Sequence, residues 1–439
     1  MSEAPSEADS ETDVYKQVRI GPKKLDIPEN WGVVQLGEVA EMHKGRSPTP
    51  KSDNSLFGGD INWVKIKEIS ENNKLITETE ETVTEKGAKK SRLFPEGTLV
   101  IGIYGASRGG VSLLGMQACS HEGVVGVFDL NDDVDLNYLY YYLLYQNLND
   151  MGHGAAQKNL NIGILKSVDL LLPPLPEQRR IANILSSVDK QIQQTDAIIK
   201  KVKEIRQGVL KDLLNKGIRS SQSEDVQFGP IKLTLPNSWE VVEIDNLAER
   251  LTNGISESQN TNGDGFPVTR IETIADEKVN LSKVGWVNGD PSEYEDYQIR
   301  ENDILFSHIN SLDHVGKAAQ YSEEGSTLYH GMNLLLLRFD WDRIHPRFAY
   351  ICITAPYFRK LCRSFAKKAV NQVSLNQSDV GSLPLLLPKY DEQKMIAKRI
   401  ECIEKRIQLE RQQKQHLTDL KQALMQDLLT GKVRVTTDA

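Results

Sequence analysis

Residues 160–182 read LNIGILKSVDLLLPPLPEQRRIA, and residues 375–397 read LNQSDVGSLPLLLPKYDEQKMIA. The two stretches share 11 of 23 positions without a gap, at an offset of 215. The same offset continues from VLKDLLNKGIR (209–219) to LMQDLLTGKVR (424–434). An earlier pair, LDIPENWGVVQLGEVAEMHKG (25–45) and LTLPNSWEVVEIDNLAERLTNG (233–254), repeats Pro28 and Trp31 as Pro236 and Trp239 at an offset of 208. Three collinear matches make the chain two copies of one plan, and such repetition outranks any local signal. The offset grows by 7 residues between the first match and the later ones, where the copies diverge. A part held to length therefore frames a part free to vary.

The segment after each LLLP motif is helical. Ile181, Leu185, Val188, Ile192, Ile199, Val202, Ile205, Val209 and Leu213 recur at spacings dominated by three and four. Ile396, Ile400, Ile403, Ile407, Leu417, Leu420, Leu424 and Leu428 repeat the stripe. Pro176 and Pro388 stand where proline opens a helix, and Gly217 and Gly431 where glycine ends one. About 38 residues at 1.5 Å each give roughly 57 Å per helix, long enough to need a partner helix. Helix one leads into the second globular part and helix two starts from it, so a pair of them must run antiparallel. Thr195, Glu410 and Lys414 interrupt the stripe. They read either as tolerated flaws or as a seam open to further helices.

The expected fold is α+β: two globular domains separated by two long antiparallel helices forming a coiled coil, with a pseudo-two-fold internal repeat. The expected boundaries are an acidic disordered tail over 1–15, a first globular domain over 16–175, a first helix over 176–217, a second domain over 218–388, a second helix over 389–431, and a tail over 432–439. TLVIGIYG (98–105) and NDILFSHI (302–309) read as strands, while YLYYYLLYQNL (138–148) and RFAYICIT (347–354) read as leading into helices.

The 439 residues suffice for several domains, and 26% charged residues is ordinary for a globular chain. Net charge is −8, so any polyanion must be met by local clusters. Cys119, Cys352, Cys362 and Cys402 are scattered without a C-x-x-C, which argues against a disulfide framework or zinc module and suits a reducing cytoplasm; Cys352 and Cys362, ten apart with no local histidine mates, read as buried free thiols. No apolar run reaches membrane-spanning length.

Chemical motifs are sparse. There is no G-x-x-x-x-G-K-[ST]. LLPPL (171–175) lacks the flanking residues of an amino-methyltransferase motif and reads as a helix-entry bend. Asp379, Glu392 and Lys394 could imitate a nuclease metal site, but Glu392 and Lys394 sit at a helix start, where a solvated or capping role is expected. No catalytic or metal-binding residue is assigned.

The positive signals are cationic. Residues 86–121 carry Lys86, Lys89, Lys90, Arg92 and Arg108 against Glu96 alone. IYGASRGG (103–110) sets Tyr104 and Arg108 among glycines, where backbone can approach phosphate, arginine can fork onto guanine and tyrosine can stack. Gln157, Lys158 and Asn159 follow in GAAQKNLN (154–161). In the second copy Arg359, Lys360, Arg363, Lys367 and Lys368 face no acid over 355–378, and AVNQVSLN (369–376) supplies Asn371 and Gln372. SHINSLDHVGK (307–317) offers Ser307, His308 and Asn310 at the station of the glycine loop. Lys67, Arg270 and His330 complete the DNA-contact candidates.

This order of globule, LPPLPEQ-type junction and long helix, given twice, resembles the specificity subunit of type I restriction–modification systems. GAAQKNLN…LLLPPLPEQRRIA and HGMNLLLL (330–337)…AVNQVSLN…EQKMIA carry the likeness, which covers roughly residues 16–434. The resemblance implies that the globules are target-recognition domains, each reading half of a bipartite site in double-stranded DNA. It implies that the helices set the unread spacer and dock two adenine-methylation subunits, joined by two restriction–motor subunits. S-adenosylmethionine would be bound by the methylation subunits, with no cofactor on this chain. The rival classes are a lone nuclease or methyltransferase, separable by turnover of the purified chain, and a protein-binding dumbbell, separable by a DNA mobility shift.

Overall fold

The computed structural model describes residues 14–20, 23–69, 74–150, 160–218, 222–322, 327–368 and 372–435. The chain divides into two compact units. Unit 1 runs up to Asp196 and resumes at Gln412; unit 2 is Ala197–Arg411. Both long helices, Leu175–Lys216 and Tyr390–Leu429, are cut at their middles by this division. The reason is packing: each globule buries the start of one helix and the end of the other in a single core. In unit 1, Trp31, Leu36, Tyr138, Leu170, Ile181 and Leu185 share a core with Met425, Leu428 and Leu429. In unit 2, Trp239, Phe348, Leu385, Ile396 and Ile400 share one with Leu210, Leu213 and Leu214. Each such aliphatic side chain removed from water stabilises its unit by about 1.5–3 kcal/mol.

The helices run antiparallel within each unit. In unit 1 Asp189 pairs with Lys421 at 2.7 Å and Asp196 with Lys414 at 2.8 Å. In unit 2 Arg206 pairs with Glu404 at 2.6 Å, and the Ile218 N–H donates to Glu392 Oε1 at 2.7 Å. In all four pairs the residue numbers add to 610, so one register serves both units. Gly217 and Gly431 adopt φ of +62° and +74°, the left-handed conformation that lets glycine end a helix. Thr195 is buried and turns its hydroxyl back onto the Gln191 carbonyl at 2.9 Å. Glu410, also buried, is reached by Arg406 one turn earlier.

A matched frame surrounds each globule. Hairpin Tyr15–Ile20/Lys23–Pro28 in unit 1 corresponds to Ser223–Phe228/Ile231–Pro236 in unit 2. Strand Gly32–Gln35 pairs with Asp169–Leu172, as Glu240–Glu243 pairs with Pro384–Leu387. Here the block repeated at offset 208 hydrogen-bonds to the block repeated at offset 215: Val34 faces Leu170, and Val242 faces Leu385. The divergent residues lie between these strands and form the globule proper.

In unit 1 that globule holds a five-stranded sheet, ordered Glu41–Lys44, Val124–Phe128, Leu99–Gly102, Val111–Leu114, Leu75–Ile76, and a four-stranded sheet built on Phe57–Val64 and Ala118–Ser120. In unit 2 it holds a four-stranded sheet, ordered Ala248–Asn253, Leu335–Phe339, Ile304–Phe306, Ala318–Gln320, with helices Pro346–Thr354 and Pro356–Phe365. The expected strands at 98–105 and 302–309 and helices near 138 and 347 are present as Leu99–Gly102, Ile304–Phe306, Leu136–Tyr145 and Pro346–Thr354. Residues 1–13 of the expected tail lie outside the described residues. Its boundary at 15 needs correcting, because Tyr15 is the first residue of a strand and pairs with Pro28. Cys119, Cys352 and Cys362 are buried free thiols, while Cys402 is exposed.

The repeated Glu-Gln dipeptide is buried, not solvated. Gln178 accepts from the Asp135 N–H at 2.8 Å and donates to the carbonyls of Asp133 and Pro173 at 2.7 and 2.8 Å. Gln393 repeats this with the His345 N–H and the carbonyls of Arg343 and Pro388. Glu177 accepts from Trp31 Nε1 at 3.1 Å and holds Arg434 through two bonds of 2.8 and 3.0 Å. Glu392 sits at the equivalent station and takes the Ile218 N–H, so the expectation of a solvated residue fails there while the capping-like role at a helix end stands.

Candidate nucleic-acid interface

In unit 1 the cationic candidates gather around the turn His121–Gly123. The loop 103–110 joins strands Leu99–Gly102 and Val111–Leu114, and its base is tied to the turn by Ile103 N–H donating to the Gly123 carbonyl at 3.0 Å. The Tyr104 hydroxyl lies 3.3 Å from His121 Nδ1, which also accepts the Gly123 N–H at 2.9 Å. Two donors on Nδ1 fix the neutral tautomer with its proton on Nε2, and burial pushes the imidazole pKa down. Arg108 is half-buried on the same loop. Burial alone would raise the neighbouring Glu122 carboxyl, but hydrogen bonds from Ser47, its own backbone N–H and Lys51 hold it at about 2.

Other candidates of this unit frame the same end. Lys89 is exposed at the end of helix Glu85–Ala88, and Lys90 reaches the Thr49 carbonyl at 2.9 Å. Arg92 is exposed on strand Arg92–Phe94, at the edge of the four-stranded sheet. Lys67 pairs with Glu80 and lines a cleft of about 520 Å³ together with Lys51, Phe57, Trp63, Lys65, Ile66, Glu81 and His121. Within it Lys65 lies 4.7 Å from the Trp63 ring centroid and pairs with Glu81. A cleft lined by lysines and by aromatic rings in tilted contact suits a polyanion with flat bases. Sequence reasoning missed Lys51, Phe57, Trp63, Lys65 and His121. The alternation Trp63, Lys65, Lys67 in WVKIK carried that signal. Gln157, Lys158 and Asn159 lie outside the described residues.

In unit 2 a three-stranded sheet joins Ile309–Asn310, Val373–Ser374 and Lys367–Lys368. It places Asn310, Lys367, Lys368 and exposed Gln372 together, although more than fifty residues separate the first from the rest. Lys367 is 69% exposed and lies 3.4 Å from Asp379. Arg270 stands apart at a short helical turn, 3.5 Å from Glu272. Ser307, His308 and His330 are 1%, 4% and 1% exposed. Their side chains face the interior, and Ser307 Oγ accepts from Asn310 Nδ2 at 3.1 Å. Their place in the structure is therefore that of packing residues beneath the surface. Asn371 lies outside the described residues. Asp379 caps the helix Gln377–Gly381 and meets Lys367, well integrated into its surroundings. Among the described residues no group of three or more His, Cys, Asp or Glu is placed to hold a metal ion, and no helix is long and apolar enough to cross a membrane.

The profile of the type I restriction modification DNA specificity domain matches twice, over residues 28–204 and 236–419. The chain belongs to this family. Each match covers one globule and runs into the long helix that follows. A putative type I restriction enzyme MjaX specificity subunit from Methanocaldococcus jannaschii is 39% identical over 200 residues, 45% of this chain and 47% of that one. The MjaVIII specificity subunit of the same organism is 24% identical over 94% of this chain and 95% of its own length. The EcoKI specificity subunit of Escherichia coli is 23% identical over 85% and 82%. Two solved chains share the fold. One, from work on complex assembly and conformational transition of the type I R-M system, has a TM-score of 0.59 over 93% of this chain and 99% of that one, at 17% identity. The other, an S subunit from M. genitalium, has a TM-score of 0.52 over 91% and 96%, at 14% identity. The chain is thus a type I specificity subunit, a DNA-recognition subunit and not itself catalytic.

Proposed function

We propose that each globule reads one half of a bipartite DNA site, that the paired helices set the number of unread bases, and that the same helices dock two adenine-methylation subunits. One observation carries this reading: the frame around each globule repeats strand for strand, while the reading loops inside it differ. A frame held constant with unlike loops is what two different half-sites demand. Ile198, Ile205, Leu409 and Leu420 leave apolar side chains exposed on the helices, a surface suited to partner subunits. S-adenosylmethionine and base extrusion belong to those partners, and two restriction–motor subunits complete the assembly.

Methylation-sensitive sequencing of DNA from cells carrying this chain and its methylation partner tests the reading. The modified adenines should fall in a word interrupted by a fixed gap. A single uninterrupted word would reject it.

Two substitutions separate base reading from phosphate contact. Arg108→Ala should cost ~1–3 kcal/mol on the cognate site and relax one position of the first half-site. Lys367→Ala should weaken binding on every sequence and flatten the slope of log K against log salt by about 1. Competition binding across single-position variants of the target reads both.

A further inference from the structure

A carboxylate at the same station of each repeat ties both helices to the globule beside them. In unit 1, Asp189 pairs with Lys421 of the other helix and accepts the Tyr141 hydroxyl at 2.6 Å. Lys74, from the globule, donates to that hydroxyl at 3.2 Å and to Ser186 Oγ at 3.0 Å, and its ammonium lies 4.5 Å from the Tyr141 ring centroid. In unit 2, Glu404 accepts from Arg206 of the other helix at 2.6 and 3.0 Å. It also takes Arg347 from the globule's helix Pro346–Thr354, whose guanidinium packs 4.8 Å from the Tyr350 ring.

Asp189 and Glu404 are 215 residues apart, as are Arg206 and Lys421, which is the offset of the junction repeat. The helix-borne half of each tie is therefore one device used twice. The globule-borne half differs, a lysine and tyrosine in one unit and an arginine in the other, as expected where the globules have diverged. These groups are partly buried: Asp189 and Lys421 are 16% and 14% exposed. Removing one member leaves its partner's charge half-buried without compensation.

We propose that Asp189 and Glu404 are positioning residues that hold each reading domain at one angle to the helix pair, and so restrict the gap between half-sites that the chain accepts. This rests on the bipartite reading above. One helical turn of ~10–10.5 bp spans ~34–36 Å, so a gap one base pair longer displaces a half-site by roughly 3.4 Å and rotates it by about 35°. A domain held at two points on the helix pair and on its own core resists that rotation; one that has lost the tie can follow it.

The test uses the full chain assembled with its methylation subunits. The substrates are duplexes bearing its own target with the native gap, one base pair added, or one removed. Wild type should prefer the native gap. Glu404→Gln and Arg347→Met should each reduce that preference by at least about tenfold while changing affinity for the native gap by less than about threefold. Arg347→Lys, which keeps the charge, should restore the preference. Lys414→Met, which removes a pair between the helices only, should leave it unchanged. Arg347→Met keeps the Arg206–Glu404 pair, so it serves if Glu404→Gln fails to fold. Unaltered gap preference in both Arg347→Met and Asp189→Asn overturns the inference alone, and loss of preference in Lys414→Met assigns the effect to the helices and overturns it too. A wild type indifferent to gap length rejects the bipartite reading with it.

Discussion

Gln178→Leu is expected to destabilise unit 1 by about 3–5 kcal/mol, more than any substitution at the surface. Gln178 is fully buried, and its amide satisfies one backbone N–H and two carbonyls around the entry of the first long helix. Leucine fills the volume but offers nothing to those three groups. A buried polar group left without its partner costs about 1–3 kcal/mol, and a typical domain has only 5–15 kcal/mol to lose. For a unit of this size the melting temperature should fall by roughly 10 °C. Scanning calorimetry reads it, with Gln393→Leu as the counterpart in unit 2. A shift under about 2 °C would show that water or backbone movement replaces the amide.

The second large effect is a dependence of unit 2 on pH. Burial holds His330 neutral, with its pKa pushed down to about 4. The Leu334 carbonyl accepts from Nε2 at 3.0 Å and works the other way, while Arg250 and His308 reinforce the depression. Nδ1 is buried with no partner, so a proton there would find no acceptor. In the unfolded chain the ring titrates near 6.5. The unfolded state therefore takes up a proton first as pH falls. Stability is fully present above about 6.5 and is lost through the window down to about 4, where the folded ring titrates. The loss approaches roughly 3 kcal/mol. Burial lowers His308 as well, and it acts in the same direction. Denaturant unfolding at pH 7.0 and 4.5 measures the effect, and His330→Gln should flatten the difference. Equal pH dependence in wild type and variant would remove His330 as its cause.

The frame was legible because repetition is visible without knowing any contact. The offsets of 208 and 215 located two strands that pair with each other, and the apolar spacing located both helices. The direction of the helices followed from connection alone. The candidate interface was harder. Lys67, Tyr104 and Arg108 were candidates on residue type and loop context, whereas Trp63 and His121 come together because Ala118–Ser120 runs parallel to Phe57–Val64, a pairing between distant segments. Ser307, His308 and His330 looked like readers because polar residues in a turn-rich stretch resemble a loop. Ser307 and His308 follow directly on strand Ile304–Phe306, His308 takes the Leu375 N–H on its carbonyl and the His330 N–H donates to the Tyr297 carbonyl, long-range pairings that no local pattern announces. Glu177 and Glu392 sit at helix starts, where exposed acids are common, and their burial comes from partners distant in sequence: Trp31 and Arg434 for Glu177, the Ile218 N–H for Glu392.

The shared total of 610 constrains how such a gene can change. Within unit 1, an insertion between Asp189 and Asp196 alone would put either Asp189–Lys421 or Asp196–Lys414 out of register. Lengthening must therefore arrive twice, in stretches of coding sequence more than two hundred codons apart. Recombination between the two related junctions, which share 11 of 23 positions, exchanges a whole half at once and leaves the match intact.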